Sequence, residues 1–213
     1  MARSPEHTAG PAYRLETARL RLRPWAPRDA PRLRASLDRS DADMRPFIPF
    51  MKHEPRSLAA TAQWLRELRS GFDRDEHYRY AVFGAAGGDL VGEVMLLDRL
   101  GDGRREIGYW IDSAHTRRGY GFEASAAMVR VAFELDGVDR VELNCSPINA
   151  ASVRLAQKLG FTHEATLARR FTNANGDIQD VMVWSLFAHA YPLCAARRVP
   201  VTGYDCLDTR LFE

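Results

Sequence analysis

Thr116-Arg117-Arg118-Gly119-Tyr120-Gly121 lies between a predicted strand and a predicted helix, and this stretch decides the fold class. Glycine adopts backbone conformations that other residues avoid and lets a ligand approach the main chain. The first turn of a helix has amide hydrogens without intrahelical partners, and the helix dipole favours an anion there. Arg117 and Arg118 add positive charge beside those amides. The stretch therefore predicts a pyrophosphate site, with a plain tight turn as the simpler alternative.

Two common phosphate-binding motifs do not fit this stretch. The chain contains no Gly-Lys-Ser or Gly-Lys-Thr, so the turn is not a Walker loop. It also lacks the third glycine and the early chain position that a dinucleotide-binding fold requires.

The segments around the turn alternate between strand and helix patterns. Residues 105–112 place Ile107, Tyr109 and Ile111 on one face of a strand, and residues 121–135 have helical spacing. A second strand is predicted over residues 140–145. A short helix over 149–159 follows it, with Asn149 as its N-terminal cap and Gly160 as its left-handed stop.

The remaining segments complete one domain over residues 13–188. Strands are predicted over residues 19–23, 78–83, 90–97, 167–171 and 181–187, and helices begin after Asp29 and Ser57. The expected fold class is α/β (α+β), with a mixed, mostly antiparallel sheet of about seven strands and about four helices. Residues 1–12 read as a flexible tail. Residues 189–213 form a C-terminal extension without periodicity, which packs on its own domain or on a partner subunit.

Composition excludes several function classes. The 213 residues carry a formal net charge of +2, with arginines spread along the chain, so no nucleic-acid partner is expected. Three cysteines without a Cys-x-x-Cys pair predict neither a zinc site nor a redox pair, and no metal is expected. No apolar run reaches the roughly 18 residues that span a membrane, so we expect a cytoplasmic protein. The composition leaves open whether the protein forms a homodimer.

Four motifs occur in a fixed order: Glu106-Ile107-Gly108-Tyr109-Trp110-Ile111, residues 117–124, Asn149-Ala150-Ala151-Ser152 and Lys158-Leu159-Gly160-Phe161. Together they resemble the GNAT acetyltransferase superfamily, specifically the RimJ/RimL-type ribosomal-protein N-acetyltransferases. The resemblance implies a single-domain GNAT fold whose strands at 105–112 and 140–145 splay apart, with acetyl-CoA in the wedge. It assigns cofactor binding to Tyr109, Trp110, Ile111, Thr116, Arg117, Arg118, Gly119, Tyr120, Gly121, Phe122, Asn149 and Ser152. Thr116 departs from the family pattern, which begins this turn with Gln or Arg.

The resemblance also implies a catalytic pair. Many relatives place a tyrosine on the helix after the Asn motif to protonate the thiolate, and that position is Ala156 here. Ser152, one turn earlier, is the nearest substitute, although a serine at a helix start often bonds only to the backbone. Glu106 is the expected general base and Glu93 the second choice, although both are more often solvated strand residues. A backbone amide of strand 105–112 is the expected oxyanion donor.

The function expected from the resemblance is acetyl transfer from acetyl-CoA to a primary amine, most of all the N-terminal α-amine of a protein. The apolar, proline-rich loop 44–55 is expected to shape the acceptor pocket. A small-molecule amine acetyltransferase is one alternative. A non-catalytic module that senses acyl-CoA is another, because the catalytic residues depart from the family pattern.

Overall fold

The computed structural model describes residues 10–86, 88–101 and 103–213. Residues 1–9 of the predicted tail therefore lie outside the described part of the chain. The last residue of the predicted tail packs on the domain, because Ala12 is fully buried and its carbonyl oxygen accepts a hydrogen bond from the Tyr80 hydroxyl at 2.8 Å. The packed domain thus includes Ala12.

The described residues form one mixed sheet of ten strands in the order β10-β9-β1-β2-β3-β4-β5-β6-β8-β7. β5 and β6 are the parallel neighbours, and the other pairs are antiparallel, as predicted. The count exceeds the expected seven because three short strands, β1, β9 and β10, show no readable alternation. The strands are β1 (Arg14–Glu16), β2 (Leu20–Pro24), β3 (Tyr78–Gly84), β4 (Leu90–Leu97), β5 (Arg104–Ile111), β6 (Arg140–Cys145), β7 (Thr162–Thr172), β8 (Ile178–Phe187), β9 (Thr202–Tyr204) and β10 (Arg210–Phe212).

The predicted four helices are confirmed as α1 (Ala30–Met44), α2 (Leu58–Asp73), α3 (Tyr120–Arg130) and α4 (Ala150–Leu159). Ser57 caps α2 through a bond from the Ala60 amide, and Asn149 caps α4 through a bond from the Ser152 amide. Asp29 precedes α1 but does not cap it, because its carboxylate binds the Arg23 guanidinium instead. The last turn predicted for α3 is a π-helix, Val131–Leu135.

Two cores lie on opposite faces of the sheet. α3 and α4 cover the larger one, which includes Met128, Leu143 and Leu159. α1 and α2 cover the second, which includes Leu33, Leu65 and Trp110. In a strand, successive side chains point to opposite faces, so β5 and β6 contribute alternate residues to the two sides.

The C-terminal extension packs on its own domain. β9 pairs with β1 and carries β10 at the sheet edge, and Phe212 lies against Gly203 and the large core. Arg130, buried near the end of α3, donates to the carbonyl oxygen of Glu213. The sequence left two alternatives for residues 189–213, packing on their own domain or on a partner subunit. The contacts observed here are with their own domain. None of the helices among the described residues is long and apolar enough to cross a membrane.

The splayed strands expected at the centre of the sheet are confirmed. Pairing between β5 and β6 begins at Arg104 with Arg140 and ends at Ile107 with Leu143. β5 then continues to Ile111 along β4, whereas β6 continues to Cys145 along β8. The two strands therefore leave a gap between them after these last partners. We call this gap the wedge.

Candidate active site

A cavity of about 1210 Å³ runs from the start of α3 through the wedge to the loop after α1. All the predicted site residues line it except Arg118. Arg118 lies instead on a smaller neighbouring cavity, and its carbonyl oxygen accepts a bond from the Arg19 guanidinium at 2.9 Å. The part of Arg118 in cofactor binding stays a prediction, and its side chain does not line the large cavity.

The turn before α3 is built to expose amide hydrogens. Gly119 caps the helix in the left-handed region at φ +83°, where glycine is strongly favoured. The Glu123 amide bonds back to the Gly119 carbonyl, so the amides of Tyr120, Gly121 and Phe122 precede the first intrahelical bond. A Cβ added at Gly121 would meet only Ile111 within 4 Å, at 3.5 Å. The protein therefore has room for a side chain here, and its absence leaves space on the cavity side.

Positive side chains surround this turn, residues 116–121, which we call the phosphate cradle. Arg117 lines the cavity from the cradle itself. Arg154 and Lys158 line it from α4, where a spacing of four residues places both on one helix face. Lys158 Nζ also lies 4.5 Å from the centre of the Phe122 ring. The sequence reasoning missed both α4 residues, although their spacing after the Asn149 cap was a readable signal.

Thr116 and Glu123 stabilise the cradle from within. The Thr116 hydroxyl donates to the Ser113 carbonyl at 3.1 Å, so this side chain is already bonded to its own turn. Glu123, buried in the first turn of α3, accepts from the Thr17 hydroxyl at 2.5 Å and from Arg19 Nε at 2.7 Å. Arg19 thereby offsets the negative charge of Glu123 beside the helix start.

On the side of the wedge that faces α4, polar groups without formal charge meet. The Tyr109 hydroxyl donates to Ser152 Oγ at 2.8 Å, and Cys145 lines the same cavity. Burial raises the pKa of Tyr109 well above its ordinary range and also raises the pKa of Cys145. We call Tyr109, Cys145 and Ser152 the hydroxyl face. The resemblance assigned Tyr109 only to cofactor binding, and its bond to Ser152 is visible only in the fold.

The opposite side of the wedge carries carboxylates. Glu106 and Glu142 are direct partners on the parallel strands β5 and β6, and Asn144 follows Glu142 on the same side of β6. Burial raises the pKa of Glu106, the charge of Arg99 and a hydrogen bond from Asn144 oppose that rise, and Glu142 adds to it. All three residues line the cavity. We call Glu106, Glu142 and Asn144 the carboxylate face.

Glu93, the second choice for the base, lies away from this cavity. Its carboxylate, 2% exposed, accepts from the Trp25 and Trp110 indoles at 2.7 and 2.9 Å and binds Arg79 through both oxygens. A carboxylate with four such donors is not free to accept a proton from a substrate. The Trp110 indole belongs to the second core, and Trp110 also lines the cavity, so its part in cofactor binding stays a prediction.

Comparison with known families decides the identity of the fold. A model described as an acetyltransferase (GNAT) domain matches residues 19–162, well over half of the chain. The chain belongs to the GNAT acetyltransferase family. It is an N-acetyltransferase that uses acetyl-CoA to acetylate an amine.

Individual members of the family resemble this GNAT chain in sequence or in fold. YjcK of Bacillus subtilis, described as a probable N-acetyltransferase, is 31% identical over 57% of this chain and 68% of its own. The fold is shared with RimL, a ribosomal L7/L12 α-N-protein acetyltransferase solved with CoA (TM-score 0.71, 21% identity, 82% and 97% of the two chains). It is shared equally with Mycobacterium smegmatis RimJ, solved with a CoA disulfide (TM-score 0.73, 23% identity, 89% and 91%).

The geometry of this GNAT domain fits acetyl-CoA. The phosphate cradle offers amides at a helix start, a glycine where a side chain would fill the space, and nearby cations for a pyrophosphate. The wedge offers unpaired strand edges for an extended amide-containing arm. Among the described residues no group of three or more His, Cys, Asp and Glu side chains is arranged to hold a metal.

Proposed function

We propose that this GNAT enzyme acetylates the N-terminal α-amine of a protein or peptide, with Glu106 as the base. The observation that carries the proposal is the position of Glu106, a partly buried carboxylate on the cavity wall. No cation lies within ion-pair distance of it among the described residues. Its burial keeps the pKa above the usual value for a glutamate, which makes the carboxylate a better proton acceptor than one on the surface.

A carboxylate base suits an α-amine better than a lysine. The α-amino group has a pKa near 8 and the lysine amine one near 10.4, so deprotonating lysine at neutral pH costs about 3 kcal/mol more. Glu106 has no second base beside it, because Glu142 is ion-paired with Arg140 at 2.5 Å. The weaker base therefore favours the more acidic amine.

The cavity beyond Glu106 is suited to the residues that follow an N-terminus. Its apolar lining there comes from the loop after α1 and from the β7–β8 hairpin, namely Phe47, Ile48, Phe50, Leu167, Phe171 and Val181. The hairpin tip bonds to that loop, through the Ala174 amide to the Arg45 carbonyl and through Gln179 Nε2 to the Pro46 carbonyl, each at 3.2 Å. These bonds hold the two segments together around the space that a short peptide would occupy.

Each face of the wedge carries one of the two proton transfers: the carboxylate face takes a proton from the amine, and the hydroxyl face gives one to the sulfur. When acetyl-CoA is bound, it supplies the acetyl group, whose C–S bond is replaced by a C–N bond. Glu106 takes the proton that the ammonium must lose before its nitrogen can attack. Ser152 gives its hydroxyl proton to the departing sulfur, and the Tyr109 hydroxyl, which donates to Ser152 Oγ, orients that proton toward the wedge. The residues end with one proton gained and one lost, so exchange with solvent restores them.

The likeness to RimL supports this choice of acceptor, since RimL is an α-N-protein acetyltransferase with the same fold. A small-molecule amine is the second candidate. The position of Glu106 favours it, because a half-buried carboxylate on the cavity wall would hold a compact amine as readily as a peptide end. We place the enzyme in the cytoplasm, where acetyl-CoA is made and free cysteines such as Cys145 and Cys194 persist.

The test is thiol release from acetyl-CoA with matched amines. One peptide would be offered with a free N-terminus, with a formylated N-terminus, and with the formylated N-terminus plus an internal lysine, beside spermidine and free amino acids. Activity with the free peptide alone supports the proposal. Preference for spermidine or an amino acid supports the second candidate, and equal activity with the lysine peptide contradicts the argument from the weak base.

A further inference from the structure

Asn144 occupies a position on the carboxylate face that the family resemblance did not assign. It lies on β6 two residues after Glu142, so its side chain leaves the sheet on the same side. Its partner across the antiparallel β6–β8 pair is Val183, which offers no polar side-chain group. The side chain lines the large cavity close to Glu106.

The Asn144 side chain lies near Glu106 and helps to lower the pKa of that carboxyl. An ionised carboxylate only accepts hydrogen bonds, so the group that Asn144 presents to it is the Nδ2 amine. The carbonyl Oδ1 must then point elsewhere.

That oxygen has no partner. Asn144 Oδ1 is buried from solvent and accepts no hydrogen bond from any described residue. Buried polar atoms in native proteins are nearly always bonded, and an exception calls for an explanation such as a ligand donor. The atom belongs to a cavity-lining side chain next to the predicted base, where the amine nitrogen must arrive.

We propose that Asn144 is an amine-binding residue: Oδ1 accepts one N–H of the incoming amine while the neighbouring Glu106 carboxylate accepts another. The two acceptors, Asn144 Oδ1 and the Glu106 carboxylate, lie on adjacent strands and would fix the position of the nitrogen. The lone pair of the nitrogen would then face the wedge. The ligand class is a primary amine, which has enough N–H groups to satisfy both oxygens. This inference rests on the proposed assignment of Glu106 as the base.

The sharpest variant is Asn144→Leu, which keeps the volume of the side chain and removes both polar atoms. Glycinamide serves as the minimal α-amine probe, and its binding to the CoA-saturated protein is followed by NMR of labelled side-chain amides. We expect glycinamide to shift the Asn144 amide signals in the unsubstituted protein. We expect the dissociation constant to rise about tenfold in Asn144→Leu, the effect of one lost hydrogen bond to an ammonium.

A stability measurement separates binding from folding. If the unpartnered oxygen has no function, Asn144→Leu removes a buried unsatisfied group, so it raises the thermal unfolding temperature and leaves glycinamide binding unchanged, which overturns the proposal. Retained or raised stability together with weaker amine binding supports it. Asn144→Asp keeps an acceptor oxygen but loses the donor to Glu106, so it should bind glycinamide better than Asn144→Leu does.

Two further variants supply the controls. Asn149→Ala, at the cap of α4, should weaken CoA binding and leave the glycinamide affinity of the CoA-saturated protein the same. Asn175→Ala, at an exposed hairpin turn, should change neither. Because glycinamide binding is measured without turnover, a failure of thiol release counts against the proposed function alone. Absence of any glycinamide effect on Asn144 counts against this inference alone.

Discussion

The two sides of the wedge differ in chemistry although the same two strands build both. Odd-numbered residues of β5 and β6, such as Tyr109 and Cys145, point to the hydroxyl face beside α4. Even-numbered residues, such as Glu106 and Asn144, point to the carboxylate face. The period of two in a strand therefore places Tyr109, which bonds to the proposed acid Ser152, and the proposed base Glu106 on opposite sides of the sheet. The proposed acid and the proposed base thus line one cavity from different sides.

The largest expected effect comes from closing the phosphate cradle, on which both faces depend. Gly121→Trp places an indole where the cofactor phosphates would lie, and we expect acetyl-CoA binding to weaken about a hundredfold or more. Losing two charged hydrogen bonds of roughly 1.5–3 kcal/mol each accounts for such a factor. Isothermal titration with acetyl-CoA measures it.

Ala59→Trp is the matched control, because Ala59 is an exposed residue at the same second position of α2. It should bind acetyl-CoA like the unsubstituted protein. Undiminished binding by a folded Gly121→Trp protein would mean that the cradle is not where the phosphates lie.

Removing the base affects only the carboxylate face. Glu106→Gln keeps the shape and the acceptor for Asn144, and we expect kcat/KM for the amine to fall about a hundredfold or more near pH 7. Acetyl-CoA affinity should stay the same. Thiol release, with titration of acetyl-CoA in parallel, measures both quantities.

The role of Glu106 as the base also predicts how kcat/KM changes with pH. Glu106 accepts a proton only when ionised, and its pKa is raised by burial, so kcat/KM should decline as pH falls through that raised pKa. In Glu106→Gln only the neutral amine can react, so the acidic limb should move up to the pKa of the amine, and the deficit should shrink at high pH, where the amine is already neutral. An unchanged acidic limb in the variant would assign it to another group.

On the hydroxyl face the expected loss is smaller. Tyr109→Phe removes the bond to Ser152 Oγ and leaves Ser152 in place, so we expect kcat to fall about three- to tenfold, the effect of one neutral hydrogen bond. Because Tyr109→Phe leaves Glu106 unchanged, the decline of kcat/KM at acidic pH should occur at the same pH as in the unsubstituted protein. Steady-state kinetics in both substrates measure this.

Tyr13→Phe is the control for a lost tyrosine hydroxyl, since Tyr13 donates to Asp73 at the surface, away from the cavity. It should leave kcat unchanged. If Tyr109→Phe also keeps full kcat, the hydroxyl of Tyr109 does not orient the proton of Ser152.

The smallest effect on activity is expected far from both faces. Phe212→Ala removes the packing of β10 on Gly203, and should lower the free energy of unfolding by about 1–2 kcal/mol without changing either substrate's KM. Denaturant titration measures the loss. Leu207→Ala, 80% exposed in the same segment, should cost nothing, and an equal cost would mean that burial is not the cause.

Local signals in the chain were sufficient for most of the fold. The alternation in β2 and β5, the caps Ser57 and Asn149 and the stop at Gly160 each act within a few residues, so the chain alone determined them. β1, β9 and β10 were missed because strands of three residues are too short to show a period, and pairing with distant partners stabilises them.

The candidate site divides in the same way. The amino-acid order alone predicted the turn of the phosphate cradle, because Gly119, the start of α3 and Arg117 are neighbours in the chain. The tertiary structure alone decided which carboxylate is available: Glu93 and Glu106 look alike on their strands, yet Glu93 is enclosed by Trp25, Trp110 and Arg79 from other segments. The bond between Tyr109 and Ser152 and the unpartnered Asn144 oxygen arise likewise where distant segments meet. The physical reason is that hydrogen bonding and burial depend on every segment that packs around a residue, whereas turns and caps depend on its chain neighbours.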